Sequence, residues 1–110
     1  MANILNPITI GWQHSGKNTD ASVFDASQYA GSELSFDGKP SVSVPVAFAA
    51  NGQYQLPLAG IAGFDTLTNG THTAQSRIVA KSGAKSQLSP AGSFDIDRRV
   101  PDAPFGVSFA

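Results

Sequence analysis

The stretch from Leu67 to Ile96 constrains the fold of this chain most, because it predicts two strands joined by a reversal of the chain. Small or apolar residues alternate with mostly long polar residues along the first strand. The even positions are His72, Ala74, Ser76, Ile78 and Ala80, and the odd positions are Thr73, Gln75, Arg77, Val79 and Lys81. Such alternation is typical of a half-buried strand. Asn69-Gly70 and Ser82-Gly83 flank it with residues that tolerate positive φ, and a second strand carrying Phe94 and Ile96 completes a hairpin.

The rest of the chain repeats this alternation in shorter segments that are separated by turns. The further alternating apolar sets are Ile8–Ile10–Trp12, Leu34–Phe36, Val42–Val44–Val46–Phe48 and Tyr54–Leu56–Leu58. Turn signals such as Asp37-Gly38 lie between them. Residues 21–32 predict an irregular connection with one short helical turn around residues 26–29. Pro45 and Pro57 each lack a backbone donor, so their strands are expected at sheet edges.

This pattern predicts an all-β fold, an antiparallel β-sandwich of about seven strands with extended N- and C-terminal arms. We expect an N-terminal arm at residues 1–7, the sandwich at residues 8–97, and a proline-containing arm or last strand at residues 98–110. The connection at residues 59–68 should pack on the core through three apolar anchors, which are Ile61, Phe64 and Leu67.

Composition excludes two kinds of stabilising site and gives no sign of a charged partner. The 110 residues include no cysteine, which rules out disulfides and a cysteine-based zinc site. Charged residues make up 14% of the chain and the formal net charge is −1, so electrostatics gives no reason to expect nucleic acid or an anionic membrane as a partner. The N-terminal segment lacks the pattern of a signal peptide. If the chain is a complete gene product, we expect it to be made in the cytoplasm.

The polar side chains form no pattern that predicts catalysis or a cofactor. His14 and His72 have no neighbour at metal-ligand spacing, and no G-x-S-x-G motif occurs. The segment Gly11–Asn18 (GWQHSGKN) falls one residue short of a phosphate-binding loop, because Asn18 replaces the magnesium-binding hydroxyl. We therefore expect a protein that is not an enzyme and has no cofactor, and we interpret His72 as a hydrogen-bonded structural residue.

The pair Asp95 and Asp97, on the outward face of the last predicted strand, is a weak candidate for calcium binding. Calcium takes about six or more oxygen ligands, so further ligands would have to come from elsewhere, for instance from Asp65 or Asp37. The alternative is that the two carboxylates form surface ion pairs. The candidate cations for such pairs are Arg98, Arg99, Arg77 and Lys81.

The block from Tyr54 to Ile96 resembles the last strands of bacterial and phage immunoglobulin-like or fibronectin-III-like modules. Those modules carry an L-x-x-G-T corner, a strand with a small-residue face, a G-x-x-S-x-x-S turn and a closing F-x-I strand. The matching positions here are Leu67, Gly70, Thr71, Gly83, Ser86, Ser89, Phe94 and Ile96. His72 and Thr73 stand where such domains carry a corner tyrosine. The resemblance covers under half of the chain and implies an immunoglobulin-like sandwich.

The resemblance also implies a structural role, because modules of this kind occur on phage particles as surface decorations and as tail or baseplate appendages. Together with the apolar termini, it predicts a non-enzymatic bacteriophage virion protein, above all a capsid decoration (cement) protein that is made in the host cytoplasm. The expected partners are capsid or other virion proteins and a further copy of this chain, and not nucleic acid or a membrane. The expected partner-binding residues are Ile4, Leu5, Phe105, Val107 and Phe109.

Two alternative functions stay open at this point. One is a tail or baseplate accessory module, and the other is a carbohydrate-binding or adhesive module of a bacterial surface protein. In the second case Trp12, Tyr29 and Tyr54 would stack on sugar rings, although the alternating apolar faces that hold Trp12 and Tyr54 favour core positions for both. Residues 101–110 form either a docking arm or a last core strand.

Overall fold

The computed structural model describes residues 3–110, which form seven β-strands in two sheets and no helix. The strands are β1 (Ile4–Leu5), β2 (Thr9–Gln13), β3 (Tyr29–Phe36), β4 (Val42–Val44), β5 (Gln53–Pro57), β6 (Gly70–Ala80) and β7 (Gly92–Ile96). The prediction of an all-β fold is therefore confirmed.

Strand β6 lies at the centre of the larger sheet, whose order is β1-β7-β6-β3-β4, while the smaller sheet pairs β2 with β5. All neighbouring strands are antiparallel except β1 and β7, which run parallel. This pair departs from the purely antiparallel sandwich that the sequence predicted. It arises because the chain first runs beside its own last strand and then crosses to the smaller sheet.

The hairpin predicted from the alternating pattern forms, with β6 and β7 as its strands. Ser76 and Ile78 on the even face of β6 are buried, as the alternation required. Strand β7 pairs with residues 70–74 of β6 and buries Phe94 and Ile96. The predicted inward face of this hairpin is confirmed.

Beyond residue 74 the segment that leads into β7 follows β6 without forming a strand, and two serine hydroxyls complete the hydrogen bonding. The Ser86 hydroxyl accepts the N–H of Ile78 at 2.9 Å, while the Ser86 N–H donates to the Ile78 carbonyl at 2.9 Å. Ser89 forms the same two bonds with Ser76, at 3.0 and 2.8 Å. Each hydroxyl thus takes the place of a neighbouring strand's carbonyl, which gives a physical reason for the spacing from Gly83 through Ser86 to Ser89.

Two clusters of buried side chains form the core. The larger one consists of Leu34, Phe36, Val44, Leu56, Leu58, Ile61, Phe64, Leu67, Phe94 and Ile96, and the smaller one of Phe24, Tyr29, Tyr54 and Ile78. The three predicted anchors of the connection between β5 and β6 all belong to the larger cluster. Each of them donates its N–H to the carbonyl of the preceding apolar residue in the series Leu58, Ile61, Phe64 and Leu67. The crossover is thus a run of hydrogen-bonded turns.

Strand β3 begins earlier than the sequence predicted. Residues 26–28 form a turn closed by a bond from the Gln28 N–H to the Asp25 carbonyl at 3.0 Å, and the strand starts directly after it at Tyr29. The Tyr29 hydroxyl donates to the Val46 carbonyl at 2.7 Å. Ala30 and Gly31 have low strand propensity. Tyr29 and Gly31 nevertheless pair with β6, and the register shifts at Ala30 between them.

The sequence predicted that the strands containing Pro45 and Pro57 lie at sheet edges, and the structure has both prolines at an edge. Strand β4 is an edge strand and is shorter than the predicted strand at residues 41–48. Pairing stops at Val44, and the Val46 N–H bonds back to the Val44 carbonyl at 3.1 Å. Because successive residues alternate in direction, the missing N–H of Pro45 falls on the open side of this edge strand. Pro57 ends β5 in the two-stranded sheet.

The core assignment predicts that truncating Leu34 is costly. Leu34 is 0% exposed, so Leu34→Ala should lower the free energy of unfolding by about 2–5 kcal/mol. Leu88→Ala removes the same atoms from a side chain that is 38% exposed and is the matched control, with an expected cost of about 1 kcal/mol or less. Urea denaturation monitored by Trp12 fluorescence measures both, and equal costs would contradict the assigned core.

The serine bonds predict a local effect on one backbone amide. Ser86→Ala should cost about 1–3 kcal/mol, because it leaves the N–H of Ile78 unpaired within the sheet. Ser93→Ala, at an exposed position of β7, is the control. Hydrogen exchange followed by NMR should show faster exchange at the Ile78 amide in the first variant alone. Unchanged exchange there would mean that the hydroxyl is not its acceptor.

Candidate protein interaction site

The C-terminal arm (residues 98–110) lies outside the two sheets and carries the most exposed aromatic rings of the described chain. Phe105, Val107 and Phe109 are 96%, 80% and 95% exposed. The described chain as a whole is elongated, with dimensions of 75 × 27 × 25 Å. The sequence left open whether residues 101–110 form a docking arm or a last core strand. In the structure these residues lie outside every described strand. Burying each such side chain against a partner would contribute about 1.5–3 kcal/mol.

Arg98 fastens the start of the arm to the crossover between β5 and β6. Its guanidinium donates to the carbonyls of Leu67 and, at 3.3 Å, of Phe64, and lies 5.4 Å from the centre of the Phe64 ring. The Arg98 N–H donates to Asn69 Oδ1 at 2.8 Å. The arm therefore leaves the body from a fixed point.

The N-terminal residues predicted to bind a partner lie in β1. Ile4 and Leu5 are 68% and 59% exposed, although their backbones pair with Phe94 and Asp95 of β7. Asn6 extends this pairing, because its side-chain amide exchanges two hydrogen bonds with the backbone of Asp97 at 2.9 and 2.8 Å. The segment is thus docked through its backbone while its apolar side chains face solvent.

The aspartates considered for calcium serve the docking of the two termini. Asp95 Oδ1 accepts hydrogen bonds from the Asn3 amide at 3.0 Å and from the Thr71 hydroxyl at 2.8 Å. Asp97 forms an ion pair with Arg99 at 2.6 Å, as the alternative interpretation expected. Hydrogen bonds from the Arg99 side chain and N–H lower the pKa of Asp97 to about 2. Residues 3–110 contain no group of three or more histidine or acidic side chains that could hold a metal ion.

Arg77, another candidate partner for those aspartates, pairs with Glu33 on the outward face of the larger sheet. The two residues are cross-strand neighbours and their Nε and Oε1 atoms are 2.8 Å apart. Ser41 Oγ and Lys85 Nζ also bind this carboxylate, at 2.8 and 3.1 Å. The pKa of Glu33 falls to about 2, because the hydrogen bond from Ser41 and then those from Arg77 and Lys85 favour the charged form. This group ties β3 to β6.

An apolar cleft of about 730 Å³ opens between β2 and the edge formed by β6, β7 and the segment before β7. Its floor includes Phe36, Leu58 and Phe94, and no charged residue lines it. Sequence reasoning missed this cleft. The alternation of β2 predicted a covered face, yet Ile8 is 80% exposed and Ile10 and Trp12 are half-buried.

The aromatic residues considered for sugar stacking are mostly covered. Tyr29 and Tyr54 are 9% and 4% exposed. The Trp12 ring stacks parallel to Tyr54, with 5.7 Å between the ring centres. The indole N–H of Trp12 has no hydrogen-bond partner among the described residues. Tyr29 and Tyr54 therefore present no free ring face of the kind that a sugar platform uses.

His72 connects two loops, which fits the structural role expected for it. Its Nδ1 lies 2.6 Å from Asp37 Oδ2, and its Nε2 lies 2.6 Å from the Thr68 carbonyl. The Asp37 carboxylate and, after it, the Thr68 carbonyl raise the pKa of His72. Burial raises the pKa of Asp37, but the N–H of Thr73 and the His72 ring outweigh it and leave this pKa below its ordinary value. Both ring nitrogens face acceptors, so the protonated ring satisfies both.

The segment that resembles a phosphate-binding loop contains the end of β2 and a turn. The N–H of Gly16 donates to His14 Nδ1 at 3.0 Å, and Lys17 pairs with Val23 in an isolated bridge. No helix follows within the described chain, so the helix N-terminus on which such loops depend is missing there.

Comparison with protein-family models, with curated protein sequences and with solved structures finds no match to this chain. Among the residues that the structure describes, no helix is long and apolar enough to cross a membrane.

The His72–Asp37 pair predicts a decline in stability at alkaline pH. Since the pKa of His72 is raised on folding, the pair contributes fully below the ordinary histidine pKa of about 6.5. Its contribution is lost as pH rises through the raised pKa of the folded state. On the acid side, the lowered pKa of Asp37 means that stability is lost as pH falls below about 4.

Urea midpoints measured between pH 5 and pH 9 test this prediction. The midpoint of the native chain should fall above about pH 6.5, and His72→Gln should remove most of that fall. The control variant His14→Gln changes the other histidine of the chain, and its urea midpoint should fall with pH as that of the native chain does. An identical pH profile for His72→Gln and the native chain would rule out the assigned role.

Proposed function

We propose that this chain is a non-enzymatic structural protein of a bacteriophage virion, a capsid decoration protein that binds the particle through its termini and sheet edges. The observation that carries the proposal is the C-terminal arm, in which Phe105, Val107 and Phe109 project from the body with 80–96% of their surface exposed. Exposed apolar side chains at this density mark a surface that meets other protein. Ile4 and Leu5 add exposed apolar side chains at the other terminus.

We propose further that the two sheets form an immunoglobulin-like sandwich. Such sandwiches place the third, sixth and seventh strands in one sheet and the second and fifth in the other. The order β4-β3-β6-β7 in the larger sheet and the pair β2–β5 in the smaller one support this assignment. The serine pairs at Ser86 and Ser89 support it too, because they occupy the turn positions in which the sequence resembles such modules.

The proposed setting accounts for the low charge of the chain. A protein that packs against a shell needs little charge on its contact surfaces, because charged residues are depleted at the centres of protein interfaces. Residues 103–110 carry no charged side chain, and charged residues make up 14% of the whole chain. The tail or baseplate variant of the proposal uses the same surfaces on a different part of the particle.

Binding to empty shells tests the proposal. Shells assembled from the major capsid protein of the same genome should retain the chain at a fixed ratio after sedimentation. The variant Phe105→Ser/Val107→Ser/Phe109→Ser should bind at least about 100-fold more weakly, since it removes the burial of three apolar side chains. Its melting temperature should match that of the native chain, because the arm lies outside the core clusters.

The control variant Ser108→Ala lies in the same arm and should bind shells like the native chain. Retention of the native chain on a glycan array without any binding to shells or tails would contradict the proposal and favour the carbohydrate-binding alternative. A fall of several degrees in the melting temperature of the triple variant would mean that the arm is part of the core.

A further inference from the structure

Strand β2 has one fully paired edge and one free edge among the described residues. Its paired edge meets β5 along its whole length, from Thr9 opposite Pro57 to Gln13 opposite Gln53. Just beyond the two ends of β2, the Ile8 carbonyl accepts the N–H of Leu58 at 3.0 Å, and the His14 N–H donates to the Gly52 carbonyl at 2.8 Å. Both groups therefore point toward the β5 side. Because successive residues alternate in direction, the N–H and C=O groups of Thr9, Gly11 and Gln13 point the other way.

The free edge of β2 faces the apolar cleft. Every residue from Pro7 to Gln13 lines the cleft, whereas a strand that presented one face alone would contribute every second residue. The far wall comes from the segment at residues 89–93. A further strand laid along this edge would bond to the backbone and place alternate side chains in the cleft.

The C-terminal arm has the pattern that such a strand needs. Phe105, Val107 and Phe109 recur at every second position, and Gly106, Ser108 and Ala110 between them are small. Five residues of extended chain span the same length as the five residues of β2. Neither residues 103–110 nor the cleft lining includes a charged side chain that burial would penalise.

The anchor of the arm favours a neighbouring copy over the arm's own body. Arg98 holds the start of the arm on the crossover, and Pro101 and Pro104 restrict the backbone that follows. Among the described residues no hydrogen bond joins residues 100–110 to the body, and Phe105, Val107 and Phe109 are 80–96% exposed. The apolar residues of the arm are thus presented to a second molecule.

We propose that the C-terminal arm of one copy adds as a strand to the free edge of β2 in a second copy and places Phe105, Val107 and Phe109 in its cleft. This inference rests on the proposed function in taking the arm as a docking segment, and it names one partner of that arm. A reciprocal exchange gives a two-fold dimer, and a one-way exchange gives a ring or a chain of copies.

The test uses the isolated full chain without shells. Sedimentation velocity between 10 µM and 1 mM should show species larger than the 11.4 kDa monomer. The donor variant Phe105→Ser/Phe109→Ser should raise the concentration needed for association by at least about tenfold. The acceptor variant Thr9→Pro removes a free-edge N–H and leaves the ladder to β5 intact. A second acceptor variant, Ile8→Asp, changes a side chain that is 80% exposed and so does not depend on the core.

Mixing the variants gives the decisive result. Each variant alone should be mainly monomeric, while an equimolar mixture of a donor variant and an acceptor variant should form a dimer, because one intact arm and one intact cleft remain. Formation of that dimer should also shift the emission of Trp12, the single tryptophan of the chain and part of the cleft lining. Ser108→Ala is the control and should associate like the native chain.

Three outcomes would overturn the inference. The first is a native chain that is monomeric throughout, and the second is a mixture that does not associate. The third is a monomer whose Trp12 emission and melting temperature change in the donor variant, which would place the arm in its own cleft. A monomeric chain that still binds shells would overturn this inference and leave the proposed function standing. Strand exchange between copies without any binding to shells would support this inference and contradict the proposed function.

Discussion

The hydrogen-bonding requirement of β6 is the constraint on which the rest of the structure depends. This strand has 11 residues and lies in the middle of the larger sheet, so both of its edges need partners. Strand β3 satisfies one edge, while β7 covers residues 70–74 of the other and the hydroxyls of Ser86 and Ser89 continue beyond it. An unpaired buried N–H costs about 1–3 kcal/mol. The serines therefore allow the chain to leave the sheet as an irregular segment while Ser76 and Ile78 stay buried.

Strand β2 differs from β6 in its hydrogen bonding, because one of its edges has no partner strand among the described residues. Natural sheets protect such edges with prolines, charges or covering loops. Pro45 protects β4 and Pro57 closes β5, but residues 9–13 contain neither a proline nor a charged side chain. The same edge borders an apolar cleft. The proposed strand exchange therefore concerns this unprotected edge and the arm.

Local patterns predicted those parts of the fold in which burial follows the period of a strand. The alternation in β6 and β7 located Ile78, Phe94 and Ile96 in the core. The parallel docking of β1 was missed, because it depends on bonds from Asn3 and Asn6 to residues about 90 positions away. The cleft was missed for a related reason. Alternation in β2 identifies which side chains share a face, but the element opposite that face decides whether it is covered, and Ile8 is left open.

The energetics of the arm favour assemblies over isolated pairs. Burying Phe105, Val107 and Phe109 would contribute about 5–9 kcal/mol in total, and ordering each residue of the arm costs about 1–2 kcal/mol. Pro101 and Pro104 lower that cost by restricting the free arm, so that one arm makes a weak contact that forms at high chain concentration. Two arms exchanged reciprocally, or many arms along a particle surface, act at high effective concentration and bind much more tightly. Under the proposed exchange, such an arm would hold neighbouring copies in an array, in which each contact is weak and the number of contacts supplies the stability.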